Sequence, residues 1–154
     1  MNRTMIRKPE ERTATEAFLC RAWDLHEQVT RDLEKLARLE TIATRCTAHL
    51  QQDRVQVSPR NDFLEQAVLE MDEVRLELKR HEEQEIEAAL EIQHMIELVD
   101  HENMRKILDR RYLRYMKWAD ITKELSFNNS WIRRLHHQAL VKVGSLLDQE
   151  NRLA

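Results

Sequence analysis

The chain has 154 residues, of which one is glycine, two are proline and 34% are charged, and its 28 acidic side chains slightly outnumber its 25 basic ones, giving a net charge of -3. This composition is typical of an all-α protein, and the net charge of the whole chain by itself does not indicate a nucleic-acid partner. No apolar run approaches the roughly 18 residues of a membrane span, and no apolar stretch follows the basic N-terminus as in a signal peptide, so we expect a cytoplasmic protein with no membrane partner.

The first predicted helix follows residues 1–12, which we expect to be a flexible N-terminus. Thr13 and Glu16 have the spacing of a capping box, in which each side chain accepts a hydrogen bond from the other residue's backbone amide. One long helix is predicted from there, with Cys20 and Cys46 as reduced, buried small residues within it. Its buried stripe, with steps of three and four, comprises Leu25, Val29, Leu33, Leu36, Leu39, Ala43, Cys46 and Leu50.

A loop over about residues 51–61 precedes a second long helix. Pro59 disfavours helix in the residue before it, and Asn61 or Asp62 is suited to cap the helix that follows. The polar segment 79–85 interrupts the apolar stripe of this helix, which comprises Leu64, Ala67, Met71, Val74 and Leu78, then Ile86, Ala89, Ile92, Ile96 and Val99. The matched lengths predict a long antiparallel helical hairpin, a coiled coil, over residues 13–99.

Two paired helices bury only one seam, and the hairpin has apolar residues to spare, namely Phe18, Trp23, Ile42 and Phe63. These side chains need cover from a second copy of the chain or from the C-terminal part. We expect a homodimer formed through the hairpin. An elongated monomer is the alternative.

A separate module is expected over residues 100–147, with a tail over residues 148–154. Asp100 is suited to the N-cap of a new helix and Glu102 to its first turn, although a bent, continuous helix remains an alternative. Residues 1–100 contain 14 basic against 22 acidic side chains (-8), whereas residues 101–154 contain 11 against 6 (+5). Five of the eight aromatic residues lie between positions 112 and 131, as a small compact core requires. Unless the charge imbalance is fortuitous, this module is the part that would attract a polyanion.

Within this module the pattern predicts a helix, a short second helix over residues 118–125, a tight turn and a third helix over residues 129–143. The first helix has an apolar face of Met104, Ile107, Leu108 and Tyr112, and the second has Ile121 and Leu125. Asn128 is suited to cap the third helix, whose inward face comprises Ile132, Leu135, Ala139, Leu140 and Val143. This is a helix-turn-helix pattern, in which the third helix projects far enough to enter a DNA major groove.

Polar side chains at the start of the third helix are left on its outer face. Arginine pairs bidentately with guanine, so these residues are candidates for contacts to DNA bases: Asn129, Ser130, Arg133, Arg134 and His137. Candidates for contacts to the DNA backbone are Arg110, Arg111, Arg114, Lys117, Lys123 and Trp131. For each charged residue alone, a solvated surface position is the alternative interpretation.

The stretch from Leu108 to Leu147 resembles the region 4 helix-turn-helix of bacterial sigma factors. The matching residues are Arg111, Tyr112, Trp118, Ile121, Leu125, Phe127, Ile132, Arg133, Leu135, His136, Ala139, Leu140, Lys142 and Val143. The layout of a long helical hairpin before such a module is similar to small phage and prophage proteins related to the RinA and ArpU types of late-gene regulator. The resemblance covers about forty residues, and the first hundred match in layout only.

The resemblance implies recognition of promoter or operator DNA, with Asn129, Ser130 and Arg133 facing the bases. The chain departs from the pattern at two positions. Ser126 occupies the position where the turn often has glycine, and a positive φ there would cost on the order of 1 kcal/mol. Trp131 occupies a position that is usually polar. The resemblance therefore predicts a regulator of phage or prophage genes that acts on double-stranded DNA at the bacterial nucleoid.

The sequence gives little support to other chemistry. The histidines form no HExxH motif, no cysteine and histidine pair has zinc-ligand spacing, and no Gly-rich loop is present, so we predict no enzyme, no metal and no cofactor. A second function remains open, namely a coiled-coil adaptor that docks a protein such as RNA polymerase without DNA specificity of its own. The salt dependence of DNA binding would separate the two.

Overall fold

The computed structural model describes residues 7–52 and 59–154, and it confirms the all-α prediction. A 3-10 turn at Pro9–Glu11 precedes six α-helices: α1 (Ala14–Leu19), α2 (Arg21–Gln52), α3 (Pro59–Glu97), α4 (Glu102–Leu108), α5 (Trp118–Leu125) and α6 (Asn129–Leu153). Helices α2 and α3 form the predicted long antiparallel hairpin. No helix in the described ranges combines the length and the hydropathy that a bilayer crossing requires.

The capping box at the start of α1 is confirmed. The Glu16 amide donates to the Thr13 hydroxyl (3.3 Å), and the Thr13 amide donates to the Glu16 carboxylate (3.4 Å). The prediction of one continuous helix from this point is wrong, because a turn at Cys20 separates α1 from α2. Cys20 is buried as predicted, whereas Cys46 is half-buried.

The predicted loop over residues 51–61 is too long. Helix α2 continues to Gln52 and α3 begins at Pro59, so Asn61 and Asp62 lie inside α3 and do not cap it. Proline suits a first helical position, because its missing N–H would have no helical partner there. Residues 53–58 lie outside the described residues, as do residues 1–6 of the predicted flexible N-terminus.

The chain divides into two compact units, each with its own contacts. We call Leu25–Gln84 the hairpin unit, and residues up to Asp24 together with Glu85–Ala154 the terminal unit. The unit boundaries differ from the division at residue 100 that the sequence predicts, because the ends of the hairpin helices pack with the C-terminal helices. The functional division at residue 100 stays a prediction.

The hairpin unit has a narrow apolar seam, in which the buried residues are Val29, Leu39, Ala67, Met71 and Val74. Half-buried Leu36 and Ala43 pack against the cluster of Leu39, Met71 and Val74, as the predicted stripe requires. Leu33, predicted to be buried, is exposed, and its neighbour Asp32 is buried instead. The seam therefore includes one acidic side chain.

A polar pair explains why Asp32 lies in the seam. His81 Nδ1 lies 2.5 Å from one Asp32 carboxylate oxygen, and the Gln28 side-chain amide donates to the other (3.0 Å). Burial of a carboxylate is tolerated where such partners compensate its lost hydration. The predicted interruption of the apolar stripe at residues 79–85 thus contains a histidine that bridges the two helices.

The terminal unit has a larger core. Its fully buried side chains come from several helices and include Leu19, Ile92, Met95, Val99, Ile107, Leu108, Ile121, Ile132 and Val143. The predicted stripe of α3 after the polar interruption is confirmed at Ile92, Ile96 and Val99, which are buried, and is wrong at Ile86, which is 62% exposed. Ala88 and Met95, which lie 14 and 21 residues after buried Val74, are buried together with Ile92, so the stripe keeps one heptad register across the polar interruption.

The helix is interrupted between α3 and α4, so the alternative of one bent, continuous helix is wrong. The predicted N-cap Asp100 is also wrong by one residue: His101 caps α4, and its Nδ1 accepts a hydrogen bond from the Met104 amide (3.3 Å). Asp100 instead accepts a hydrogen bond from Lys142 of α6 (2.6 Å). This bond, together with the charge of Lys142, lowers the pKa of Asp100.

Helix α6 extends ten residues beyond its predicted end at Val143 and approaches α1 closely. A Cβ atom added to Gly144 would lie 2.9 Å from the hydroxyl oxygen of Thr15. The single glycine of the chain is therefore at a close contact between α1 and α6, where a larger residue requires Thr15 to shift.

Candidate nucleic-acid interface

The tight turn between α5 and α6 has the geometry that the sequence predicts. Helix α5 ends at Leu125, and Ser126 adopts a left-handed conformation (φ 57°, ψ 32°). A non-glycine residue pays on the order of 1 kcal/mol for that conformation, as anticipated for this position. Asn128 then caps α6, because its side-chain oxygen accepts a hydrogen bond from the Trp131 amide (2.8 Å).

Side-chain contacts across the turn fix the direction of α6. The Thr122 hydroxyl donates to the Trp118 carbonyl oxygen (2.8 Å) and lies 3.1 Å from the Asn129 side-chain oxygen. The rings of Phe127 and Trp131 meet edge to face with centroids 4.1 Å apart. This packing gives the unusual Trp131 a structural role, while its predicted contact with the DNA backbone stays a prediction.

The inward face of α6 is buried as predicted. Ile132, Leu135, Ala139 and Val143 are buried, and Leu140 is half-buried. Helix α6 packs against α4 and α1 through this face. The first turns of α6 therefore have one side in the core and the other in solvent.

All five predicted base-contact residues are exposed. Asn129, Ser130, Arg133, Arg134 and His137 lie within the first nine residues of α6. Residues three and four apart share a helical face, so Ser130, Arg133, Arg134 and His137 form one outward surface, with Asn129 at its edge. We call these five residues the α6 edge.

The predicted backbone-contact residues differ in their surroundings. Lys117 and Lys123 are exposed. Arg114 is exposed and pairs with Asp109 (2.8 Å), whereas Arg110 is half-buried and pairs with Glu124 (3.1 Å). Exposed ion pairs of this kind are weak, contributing about 0 to 1 kcal/mol, so a phosphate can compete for Arg114.

Arg111 has a different environment from the one the sequence predicts. Its side chain is only 4% exposed, and its guanidinium lies 4.8 Å from both the Trp23 and the Trp118 ring centres. It also donates a hydrogen bond to the Met116 carbonyl oxygen (2.9 Å). We therefore correct its interpretation from a phosphate contact to a core cation held between two indole rings.

His136 lies directly beneath the α6 edge. Its ring is 4.6 Å from that of Trp118, and its Nε2 lies 2.7 Å from the Tyr112 hydroxyl. Burial, with smaller contributions from the nearby charges of Arg111 and His137, lowers the pKa of His136 to about 4. His136 is therefore neutral near pH 7, and its Nε2 shares a hydrogen bond with the Tyr112 hydroxyl.

The N-terminal residues contribute to this surface, which the sequence did not predict. A groove of about 840 Å³ runs beside the α6 edge, and the segment before and within α1 contributes Arg7, Arg12 and Glu16 to its wall. Lys117, which precedes α5, lines the groove together with Thr122 of α5 and with Asn129, Arg133 and His137 of α6. The only available signal was the basic character of residues 3–12, which has no periodicity to place it against a particular helix.

Comparisons with protein-family models, with curated proteins and with solved structures found no match. Among the residues that the structure describes, no group of three or more histidine, cysteine or acidic side chains is arranged to hold a metal ion.

Proposed function

We propose that the protein is a sequence-specific DNA-binding regulator of transcription that inserts α6 into the major groove. The observation that carries the proposal is the two-sided environment of α6. Ile132 and Leu135 anchor one side in the core, and the α6 edge is exposed on the other, immediately after a tight, capped turn. This is the arrangement of a recognition helix.

The chemistry of the α6 edge is suited to reading base pairs. Arg133 has the planar donor fork that pairs with guanine O6 and N7, and Asn129 is able to pair with adenine. Each good bidentate pair provides about 1 to 3 kcal/mol of discrimination between bases. Exposed Lys117, Lys123 and Arg114 lie in the same basic part of the chain and are suited to hold phosphates.

The resemblance to sigma factor region 4 supports the same proposal. With the hairpin layout of RinA-like and ArpU-like regulators, it points to phage or prophage promoters as the targets. The left-handed conformation of Ser126 and the cap at Asn128 are compatible with the short turn of a helix-turn-helix.

We also propose that the protein acts as a homodimer. Large apolar side chains of the hairpin unit face solvent, including Leu33, Ile42, Phe63, Val68, Leu69 and Leu76. Exposed apolar surface of this kind marks protein interfaces. A second copy would place two α6 helices on one duplex and favour a palindromic site.

Selection from a randomised duplex library tests the proposal. We expect wild type to enrich a short motif at about 50 mM salt and to lose affinity by orders of magnitude by about 200 mM, as a binder with six or more phosphate contacts does. Arg133→Ala should weaken binding to the motif more than binding to random duplex, while Lys123→Ala should weaken both equally. Equal losses from both variants on both duplexes contradict base reading by α6.

The exposed apolar side chains of the hairpin unit favour one alternative, a coiled-coil adaptor that docks RNA polymerase or another protein without DNA specificity. Under that alternative the wild type enriches no motif and shows no duplex binding even at low salt. Co-purification with RNA polymerase in the absence of DNA would then identify the partner.

A further inference from the structure

We infer that Arg7, which precedes α1, contacts a phosphate of the same duplex that α6 reads. This inference rests on the proposed function and extends the DNA-binding surface to a segment more than a hundred residues away in sequence. The groove beside the α6 edge is where the two parts meet, since Arg7 and Arg133 both line it.

The backbone of Arg7 is held in place. The Arg12 side chain donates from Nε to the Arg7 carbonyl oxygen (2.7 Å). Arg12 is itself anchored, because its guanidinium makes two hydrogen bonds to the Asp24 carboxylate (2.5 and 3.0 Å) with only 7% of its side chain exposed. A bidentate pair of this kind, in which Arg12 is buried and Asp24 is 44% exposed, positions the segment before α1 within the terminal unit.

The side chain of Arg7, by contrast, is available to a ligand. It is 61% exposed, and its guanidinium lies 3.8 Å from the Glu16 carboxylate, which is longer than a hydrogen bond. Glu16 already accepts the capping hydrogen bond from Thr13, so its position does not depend on Arg7. A phosphate can therefore take over the Arg7 guanidinium without disturbing the start of α1.

The charges around the groove favour a phosphate of a polyanion. Arg7, Lys117 and Arg133 are exposed cations of its lining, and Glu16 is the one acidic side chain among the described lining residues. Arginine holds phosphate oxygens bidentately. Because Arg133 belongs to the α6 edge, a duplex that engages α6 brings its backbone alongside the groove and toward Arg7.

The test compares Arg7→Ala with Lys8→Ala, which removes the same charge from the adjacent exposed residue outside the groove lining. Binding of a fluorescent random-sequence duplex is followed by anisotropy between about 50 and 200 mM salt. Loss of one phosphate contact lowers the slope of log affinity against log salt by about 0.9, so Arg7→Ala should show that decrease with an affinity loss of about three- to tenfold at low salt. Lys8→Ala should retain the wild-type slope, and Arg7→Lys should restore most of it.

Each other outcome overturns the inference. An unchanged slope for Arg7→Ala, or equal decreases for Arg7→Ala and Lys8→Ala, leaves no specific role for Arg7. A different result would be that inorganic phosphate raises the melting temperature of wild type but not of Arg7→Ala, with duplex binding unchanged by the substitution. That result would mean that the groove binds free phosphate compounds instead. If Lys123→Ala lowers the slope and Arg7→Ala does not, the inference about Arg7 fails while the proposed function stands. Absence of duplex binding by wild type overturns both this inference and the proposed function.

Discussion

The hairpin unit and the terminal unit are built from the same kinds of helix but bury very different cores. The hairpin unit closes along one narrow seam that includes the Asp32 and His81 pair. The terminal unit buries large aliphatic side chains from α3, α4, α5 and α6, several of them completely. Stability increases with the apolar area removed from water, so we expect the larger apolar contribution to folding from the terminal unit.

The difference between the two cores suits the two units to different roles. A rigid core under α6 fixes the orientation of the α6 edge, as base reading requires. A thin hairpin with apolar side chains facing solvent is suited to pairing with another surface. Under the proposed function, DNA contact belongs to the terminal unit and association to the hairpin unit, and the following substitutions test this division.

The largest effect is expected from truncating the core beneath α6. Ile132 is 2% exposed, and Ile132→Ala should lower the free energy of unfolding by about 2 to 5 kcal/mol in urea denaturation. The matched change Ile42→Ala removes the same atoms from a residue that is 47% exposed in the hairpin unit, and it should stay within about 0.5 kcal/mol. A larger loss at Ile42 that grows with protein concentration would indicate that this residue lies in the dimer interface.

Removing the buried cation of the terminal unit should have the next largest effect. Arg111→Ala leaves the Met116 carbonyl without its donor and removes a guanidinium from between Trp23 and Trp118, so the free energy of unfolding should fall by about 2 to 3 kcal/mol. Arg111→Lys keeps the charge but not the planar stacking, and it should lose less. If Arg111→Ala instead leaves stability unchanged and lowers the salt slope of DNA binding, the original interpretation as a phosphate contact is restored.

Acid should destabilise the terminal unit through His136. Its folded pKa of about 4 lies below the ordinary value of 6.5, so the unfolded chain binds the proton more readily. The associated stability is present above about pH 6.5 and is lost as the pH falls toward 4, by on the order of 3 kcal/mol. Urea denaturation at several pH values should show that the free energy of unfolding falls less steeply with decreasing pH for His136→Gln than for wild type. Equal pH profiles for the two proteins would contradict the assignment of this pH dependence to His136.

A smaller effect is expected from the polar pair of the hairpin unit. His81→Ala leaves the buried Asp32 carboxylate with Gln28 as its remaining described side-chain partner and should lower stability by about 1 to 2 kcal/mol. Hydrogen exchange should show the loss of protection within residues 25–84. The exposed His94 of α3 provides the control, because His94→Ala should leave exchange in this range unchanged.

The smallest effect concerns the close contact of α1 and α6. Gly144→Ala gains about 1 kcal/mol of helix propensity but forces Thr15 to shift, so the net change in melting temperature should be close to zero. In a Thr15→Ala background the shift is not needed, and Gly144→Ala should then stabilise. Equal effects in both backgrounds would indicate that the contact is relieved without strain.

Local signals in the sequence predicted the helix-turn-helix closely. The bounds 118–125 of the second helix, the cap at Asn128 and the inward face of α6 all match, because turn chemistry and helical periodicity are both encoded within a few residues. The matched lengths of the two apolar stripes also predict the hairpin.

The errors arise where tertiary contacts override local preference. Asp100 is a good capping residue, but Lys142 holds it and His101 caps α4 instead. Arg111 has the appearance of a surface cation in sequence, yet Trp23, from a distant part of the chain, covers it. The contribution of Arg7 to the groove has the same origin, since nothing local relates the segment before α1 to α6.

Guanine N7 lies in the major groove, so methylation interference on the selected duplex motif tests the insertion of α6 most directly. We expect that methylation of particular guanines in the motif blocks wild-type binding, and that Arg133→Ala becomes insensitive at one guanine in each half-site. Wild-type binding that tolerates methylation of every guanine N7, or an Arg133→Ala variant with the wild-type pattern of interference, would contradict it.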